Sequence, residues 1–169
     1  MTQLVANVCD DEMVPMVLVS SDKACLPQGV YGATKLLAER MALRRGAAVV
    51  RLGNLIGSSG SVFAAWRDAL ARGERIKLTD PNMTRFFIPV DEAALFIADY
   101  ASFGRLVIPA DMRSVRMGNV AARLVRDEDE VDVVGMRPGE TLHQWLIAPG
   151  NLMTIDGAKI LLGEGLFCG

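Results

Sequence analysis

Residues 19–35 read VSSDKACLPQGVYGATK and begin with the last residue of an apolar run, Val19. The stretch closes on Tyr31 and Lys35, and a spacing of four places both side chains on one face of a helix. A lysine ammonium beside a phenol favours the phenolate, which makes Tyr31 a candidate proton-transfer group. The same spacing also occurs in exposed helices that have no function. The polar residues 20–23, at the end of the preceding strand, favour a functional site over that alternative.

The segments around this stretch predict alternating strands and helices. The apolar run 13–20 predicts a strand buried on both faces of a parallel sheet. A helix is expected over 32–45, with Gly46 as a left-handed cap, and a second buried strand over 47–52. Further expected helices cover 2–10, 62–72, 91–102 and 120–125, and further expected strands cover 76–78, 86–90, 106–108 and 131–134.

This alternation predicts an α/β fold, a truncated Rossmann-like parallel sheet with a small mixed α/β substrate-binding portion. We expect one domain over 1–169, divided at about residue 110 into the core and the smaller portion. That portion should cover the carboxyl edge of the sheet, where open α/β sheets bind ligands. Phe63 and Trp66 fall on the apolar side of their helix and are expected in the core. Asp156-Gly157 predicts a hairpin turn within 152–162.

Composition excludes several classes of protein. Half of the 169 residues are hydrophobic, which excludes general disorder, and the net charge of −2 indicates neither nucleic-acid nor anionic-membrane binding. The cysteines, Cys9, Cys25 and Cys168, form neither a disulfide framework nor a zinc motif. His143 has no ligand partners at motif spacing, so we expect no metal and place it at the surface or behind the site. Without a signal peptide or an apolar run of about 18 residues, we expect a cytoplasmic protein.

Five ordered motifs, spread over residues 14–147, carry a family resemblance. The stretch SSDKACLPQGVYGATKLLAE resembles the active-site segment of the extended short-chain dehydrogenase/reductases. More narrowly, the sequence is similar to the UDP-N-acetylglucosamine 4,6-dehydratases of the polysaccharide-biosynthesis branch. The four further motifs are Val50-Arg-Leu-Gly-Asn54, Gly57-Ser-Ser-Gly-Ser-Val62, Thr79-Asp-Pro-Asn-Met-Thr-Arg-Phe-Phe87, and Arg137-Pro-Gly-Glu140 followed by Leu142-His143.

The resemblance implies a sugar-nucleotide dehydratase, a lyase, with catalytic roles for five residues. Tyr31 takes the proton of the C4 hydroxyl, while Lys35 favours the ionised Tyr31 and holds the nicotinamide ribose. Ser21 hydrogen-bonds the C4 oxygen. Lys23 acts as base at C5, and Asp22 acts as acid toward the departing C6 hydroxyl. We expect an extended backbone here, with Asp22 and Lys23 pointing to different sides.

The resemblance also assigns four residues to the nucleotide-sugar. Arg85 and Arg137 can each offer a two-pronged hydrogen bond to a phosphate, unless both are ordinary surface charges. Glu140 can accept hydrogen bonds from ribose hydroxyls. Asn54, at the carboxyl end of a strand, can reach a phosphate or the sugar. The predicted ligand is therefore a UDP-sugar.

The sequence departs from the family at the cofactor. The resemblance implies NAD(P), but no G-x-x-G-x-x-G motif lies near the start of the chain, so we expect the main dinucleotide-binding half to be absent. Three interpretations remain open: a catalytic half that works with a partner chain, a non-catalytic UDP-sugar-binding module, or a decaying or oligomer-forming fragment.

An incomplete parallel sheet exposes an apolar edge and face, so we expect a homo-oligomer or a partner chain. In the resembled family the first helix and the helix of Tyr31 form a dimer interface. Three small departures, at Ser21, Gly29 and Thr141, where the family commonly has Thr, Asn and Lys, affect the loop and the pyrophosphate site.

Overall fold

A computed structural model describes residues 1–148 of the chain, which form five α-helices and eight strands joined by short connections. The helices are α1 (Thr2–Asp11), α2 (Val30–Leu43), α3 (Val62–Ala71), α4 (Val90–Asp99) and α5 (Met117–Leu124). The strands are β1 (Val17–Ser21), β2 (Ala48–Leu52), β3 (Asn54–Ile56), β4 (Ile76–Leu78), β5 (Thr84–Pro89), β6 (Leu106–Val107), β7 (Arg113–Arg116) and β8 (Val131–Val133).

The first sheet is parallel, with the order β1-β2-β6, and confirms the predicted fold class. All five residues of β2 are buried, as predicted for a strand with neighbours on both sides. Within residues 1–148 β1 pairs only with β2 and buries only Ser20, whereas Val19 is 44 % exposed. The prediction that β1 is buried on both faces is therefore wrong for the described residues.

β1 also begins later than predicted, at Val17 rather than at residue 13. Met13 has a φ of 54°, in the left-handed region, and Pro15 has no N–H to donate to a neighbouring strand. The apolar residues 13–16 therefore lead into the sheet without belonging to a strand.

Two smaller sheets lie beside the first. Parallel β3 and β5 combine with antiparallel β7, and β4 pairs in parallel with β8. β3 was not among the predicted strands, since Gly53 and Asn54 are typical of turns. Instead, Gly53 allows a close backbone approach, since a Cβ there would lie 2.6 Å from the Phe86 carbonyl oxygen. β7 was not predicted because a short strand with two arginines has no apolar run.

The helices agree with the predicted ones except at their ends. Gly46 and Gly73, which follow α2 and α3, have φ values of 72° and 70°, the left-handed conformation expected at a helix end. α2 begins at Val30, two residues before its predicted start, and α4 ends at Asp99 rather than at residue 102. The hairpin predicted within 152–162 lies outside the described residues.

The chain after residue 110 returns to the strands before it. β7 pairs with β5 and β8 pairs with β4, and the Thr84 N–H donates to the Leu142 carbonyl at 2.9 Å. The last described stretch therefore runs beside β5, and its Leu146 carbonyl accepts from Arg51 near the end of β2. Among residues 1–148, no helix has both the length and the apolar composition needed to cross a bilayer.

Candidate active site and nucleotide-sugar cleft

A cleft of about 330 Å³ lies where β1 ends, between α2 and the last described stretch of chain. Three parts of the sequence line it: residues 22–32, the pair Asn54 and Arg85, and residues 139–145. The cleft brings together six of the nine predicted site residues, namely Asp22, Lys23, Tyr31, Asn54, Arg85 and Glu140. The other three, Ser21, Lys35 and Arg137, are not among its lining residues.

We call residues 21–35 the near wall of this cleft, and residues 84–85 with 137–146 the far wall. Asp22 lies at the base of the near wall and is 1 % exposed. Its Oδ1 accepts from the Ser21 hydroxyl at 2.7 Å and from Lys23 Nζ at 3.2 Å. Its Oδ2 is buried and has no hydrogen-bond partner among residues 1–148. A buried carboxylate oxygen without a hydrogen-bond donor destabilises the fold. Such unsatisfied groups are typical of functional sites.

The near wall corrects the predicted geometry of Asp22 and Lys23. The chain turns into a short 3₁₀ helix, Asp22–Ala24, directly after β1, and Ser21 accepts from the Lys23 N–H at its start. The two side chains therefore form an ion pair instead of pointing to different sides of an extended strand. The Ser21 hydroxyl donates to Asp22, and its expected hydrogen bond to the C4 oxygen of a substrate stays a prediction.

The first turn of α2 completes the near wall. Gly32 permits this packing, because a Cβ there would lie 2.3 Å from the Lys23 carbonyl oxygen and 2.9 Å from the Pro27 Cβ. Tyr31 is 58 % exposed, and Lys35 Nζ lies 5.9 Å from the centroid of its ring. The predicted common face of Tyr31 and Lys35 is therefore present, and the phenol stands beside the cleft.

Arg85 is the main positive group of the far wall. Burial lowers the pKa of its guanidinium from the ordinary value, while the carboxylates of Asp22 and Glu140 oppose that shift. Its Nη1 donates to the carbonyls of Thr84 at 2.7 Å and Leu142 at 3.2 Å. Arg85 therefore also holds the far wall together, a role that the expected phosphate contact did not include.

The motif that begins at Arg137 forms a tight turn at the rim. The Arg137 N–H donates to Glu140 Oε2 at 3.0 Å, and the Glu140 N–H donates to the Arg137 carbonyl at 3.0 Å. Gly139 has a φ of 85°, which suits glycine. Both charged side chains are exposed. Asn54 is fixed differently, because its Nδ2 donates to the Phe86 carbonyl at 3.1 Å.

Three residues that line the cleft were not predicted as site residues: His143, Gln144 and Trp145. His143 was expected at the surface or behind the site. It is exposed, but it lines the cleft, and its Nδ1 lies 3.0 Å from the hydroxyl of buried Thr84. The available signal was their position directly after Glu140 in the same motif.

A smaller cavity of about 140 Å³ shares Asn54, Arg85 and Glu140 with the main cleft. It extends beneath α3, where Trp66 lines it while donating from Nε1 to the Lys77 carbonyl at 3.0 Å. Trp66 is 4 % exposed and belongs to the core, as predicted. The two cavities are therefore neighbours, with these three residues between them.

The model of a family described as "Polysaccharide biosynthesis protein" matches residues 1–161. The chain belongs to this family. The predicted resemblance is therefore confirmed. Separately, residues 1–148 contain no group of three or more His, Cys, Asp or Glu that could hold a metal ion.

Two relatives and one solved structure indicate how much of the fold is shared. An uncharacterized membrane protein from Methanocaldococcus jannaschii is 31 % identical, over 90 % of this chain and 52 % of its own. The UDP-N-acetylglucosamine 4,6-dehydratase (inverting) of Campylobacter jejuni is 31 % identical, over 86 % of this chain and 47 % of its own. The dTDP-glucose 4,6-dehydratase of Bacillus anthracis, solved in complex with NAD, superposes with a TM-score of 0.75 at 15 % identity, over 85 % of this chain and 56 % of that one. This chain thus spans about half the length of the relatives it matches.

Proposed function

We propose that this chain binds a UDP-N-acetylhexosamine and contributes the proton-transfer groups of a nucleotide-sugar 4,6-dehydratase in surface-polysaccharide synthesis. One observation carries the proposal: Asp22, Lys23 and Tyr31 share a single cleft with Asn54, Arg85 and Glu140. The first three suit proton transfer, and the last three suit a charged nucleotide. The dehydratase relative at 31 % identity, about half of which this chain matches, supports the same assignment.

The two neighbouring cavities suggest the orientation of the ligand. The uridine fits the smaller cavity beneath α3, where Trp66 and Met117 provide apolar walls. The diphosphate then lies beside Arg85, with Arg137 at the rim, and Glu140 accepts from the ribose hydroxyls. The sugar reaches the near wall, where Asp22, Lys23 and Tyr31 lie.

The ion pair in the near wall supplies both groups that an elimination needs. Lys23 Nζ and Asp22 Oδ1 lie 3.2 Å apart, so a proton can pass between them and leave a neutral amine beside a carboxylic acid. The amine takes the C5 proton, and the acid gives its proton to the C6 hydroxyl, which leaves as water as the C6–O bond breaks. Lys23 is then protonated and Asp22 ionised again, so the ion pair is restored.

Tyr31 prepares this step by taking the proton of the C4 hydroxyl, and the resulting ketone acidifies the C5–H bond. When bound, NAD(P) would supply the acceptor for the C4 hydride and the donor that returns it to C6 after water has left, while Lys23 would return the proton to C5 to complete the 4-keto-6-deoxy sugar. Exposed Tyr31 and half-buried Lys35 fit the nicotinamide end of that cofactor. The sequence lacks a glycine-rich motif for the remainder of the cofactor, so we assign that contact to another chain or segment.

The surface of β1 suggests where that other half docks. β1 pairs only with β2 among residues 1–148, and exposed Val19 lies on it. We propose that this edge receives a dinucleotide-binding half. We also propose a homo-oligomer through α1, which packs on α2 and leaves Leu4, Val5 and Val8 exposed. A monomer by light scattering at micromolar concentration, with or without the dinucleotide-binding chain, would contradict both.

The same proposal keeps the expected organisation, a cytoplasmic protein with one domain over 1–169, divided near residue 110. The second candidate is a non-catalytic UDP-sugar-binding module. The hydrogen bond from Ser21 to Asp22 favours it, because the hydroxyl hydrogen is then shared with a carboxylate and is not offered to a substrate oxygen.

The test measures binding and turnover separately. Calorimetry and thermal melting with UDP-N-acetylglucosamine should show binding, and a ligand at about 100 times its Kd should add about 2.7 kcal/mol to the free energy of unfolding. Formation of a 4-keto-6-deoxy product, with NAD(P) and a dinucleotide-binding chain supplied, should be abolished by Lys23→Met and Tyr31→Phe. Binding should survive Tyr31→Phe and weaken in Arg137→Ala, with exposed Arg67→Ala as the matched control.

Each outcome separates the candidates. Binding without product under every cofactor condition would favour the non-catalytic module. If millimolar UDP-N-acetylglucosamine gave no heat of binding and no rise in melting temperature, both the dehydratase and the non-catalytic binding module would be rejected.

A further inference from the structure

Outside the cleft, the described core holds one ion pair in which both side chains are buried. Arg51 on β2 is 7 % exposed, and Glu39 on α2 is 2 % exposed. Arg51 Nε donates to Glu39 Oε1 at 3.0 Å, and Nη2 donates to Oε2 at 2.6 Å. The third guanidinium nitrogen, Nη1, donates to the carbonyl of Leu146, which lies 95 positions later in the sequence. We call Glu39, Arg51 and this carbonyl the Arg51 junction.

Stability alone is a poor reason for such a pair. Removing two charges from water costs several kcal/mol, and aliphatic side chains of similar volume often serve a core equally well. What aliphatic side chains cannot provide is direction. The planar guanidinium fixes three elements at once: α2, β2 and the chain at Leu146.

The junction lies at one end of the segment that forms the far wall. At its start, the Leu142 carbonyl accepts from the Thr84 N–H and from Arg85. At its end, the Leu146 carbonyl accepts from Arg51, and the Leu146 side chain is buried in the core. The three residues between these anchors, 143–145, all line the cleft.

The junction also reaches the near wall. Glu39 belongs to α2, the helix that carries Tyr31 and Lys35, and lies about 12 Å along the helix axis from Tyr31. The arginine therefore connects the helix of the proton-transfer group with the segment across the cleft.

We propose that Arg51 is a positioning residue that sets the separation of the two walls, and thereby the affinity for a nucleotide-sugar. The inference rests on the proposed function for its ligand, but the geometry of the junction does not depend on it. An arginine is required because a lysine ammonium has no fork that serves Glu39 with two nitrogens and Leu146 with a third. Neither Glu39 nor Arg51 lines the main cleft.

Two variants separate positioning from stability because they change the two properties in opposite ways. Glu39→Gln keeps an acceptor for Arg51 and the bond to Leu146 but leaves a buried charge unpaired, so the melting temperature should fall while the Kd for UDP-N-acetylglucosamine stays within about twofold. The double variant Glu39→Leu/Arg51→Met removes both charges and the Leu146 bond. Its melting temperature should stay near that of the parent, while its Kd should rise about tenfold.

Hydrogen exchange provides a readout that needs no ligand. Amides of 143–148 should exchange about tenfold faster in the double variant than in the parent, and at the parental rate in Glu39→Gln after correction for global stability. Arg51→Lys, which keeps a charge opposite Glu39, should also show the raised Kd and faster exchange, and it serves if the double variant does not fold. Arg72→Met, which removes an exposed ion pair with Glu74, is the matched control.

The proposal is overturned if affinity falls in proportion to melting temperature across these variants. It is equally overturned if the double variant, or Arg51→Lys in its place, keeps parental affinity and exchange. If the parent does not bind UDP-N-acetylglucosamine, the proposed function fails, and the exchange rates alone then decide whether Arg51 positions the far wall.

Discussion

The two walls of the cleft are built in different ways. The near wall depends on local contacts: Ser21 with Asp22, Asp22 with Lys23, and Tyr31 with Lys35 one helical turn later. The far wall depends on contacts between distant parts of the chain. Arg85 reaches Leu142 across 57 positions, and Arg51 reaches Leu146 across 95.

This difference separates the chemistry from the recognition of the ligand. The groups suited to proton transfer lie within one strand end and one helix, so their mutual geometry forms with local secondary structure. The groups suited to the nucleotide meet them only when the tertiary fold is complete. Disturbing the far wall should therefore affect binding first, and disturbing the near wall should affect reactivity first.

The largest effect should follow truncation of the anchor of the far wall. Leu146 is 3 % exposed in the main core, so Leu146→Ala should lower the free energy of unfolding by about 3 kcal/mol through lost burial and a residual cavity. Urea unfolding measures this loss. Leu37→Ala, at a 62 % exposed site, should change the value by less than about 0.5 kcal/mol. Equal losses for Leu146→Ala and Leu37→Ala would contradict the conclusion that Leu146 anchors the far wall in the core.

A smaller loss is expected at the contact that closes the near wall. Gly32→Ala places a Cβ against the backbone of Lys23, which cannot move aside as a flexible side chain would. The free energy of unfolding should fall by about 2 kcal/mol, and product formation should fall with it as Tyr31 shifts. Gly29→Ala is the matched control, because a Cβ there has no atom within 4 Å. If Gly32→Ala were as stable and active as the parent, the first turn of α2 would not pack against the Lys23 backbone as described.

The hydrogen bond behind His143 should contribute less. Thr84→Val keeps the shape of a buried side chain and the backbone bond to Leu142 but removes the hydroxyl that faces His143. Because water can hydrate the exposed imidazole in place of the hydroxyl, the free energy of unfolding should fall by only about 1 kcal/mol, as measured by urea unfolding. Affinity for UDP-N-acetylglucosamine should fall more than product formation at saturating ligand. The reverse pattern would assign His143 to the near-wall chemistry.

The smallest effect concerns pH and the thiol beneath the near wall. Burial raises the pKa of Cys25 above the ordinary 9.0, assisted by Glu39 and Asp22 and opposed by Arg51. The folded state therefore favours the protonated thiol, and this contribution is complete below 9.0 and is lost as the pH rises through the folded pKa. Between about pH 8 and about pH 10.5, unfolding free energy should fall more in the parent than in Cys25→Ala. If the unfolding free energies of the parent and of Cys25→Ala changed with pH in parallel, the raised pKa of Cys25 would be contradicted.

The sequence indicated the near wall more fully than the far wall, for a physical reason. The spacing of Tyr31 and Lys35 and the buried strand over 48–52 follow from periodicities that a short window contains. The 3₁₀ turn that pairs Asp22 with Lys23 was missed because polar residues after a strand are equally compatible with extended chain. Motif order placed Arg85 and Glu140 at the site, but their backbone bonds depend on distant partners.

The strands missed by the sequence have a similar explanation. β3 depends on the approach of Gly53 to Phe86, and β7 depends on its pairing with β5, so neither has a local apolar pattern. His143 was given too small a part because its partner, Thr84, lies 59 positions earlier in the sequence. The specific catalytic and binding roles stay predictions that the proposed experiments test.

The separation of Arg51 from Leu146 also sets an order of events during synthesis. At about 5–20 residues per second, a ribosome adds the 95 intervening residues in roughly 5–20 s. During that interval Arg51 and Glu39 can pair once both have left the ribosome, while the carbonyl that completes their geometry has yet to be made. The nascent chain would thus carry its proton-transfer groups before it could hold a substrate against them, so binding competence is acquired only after Leu146 has been added.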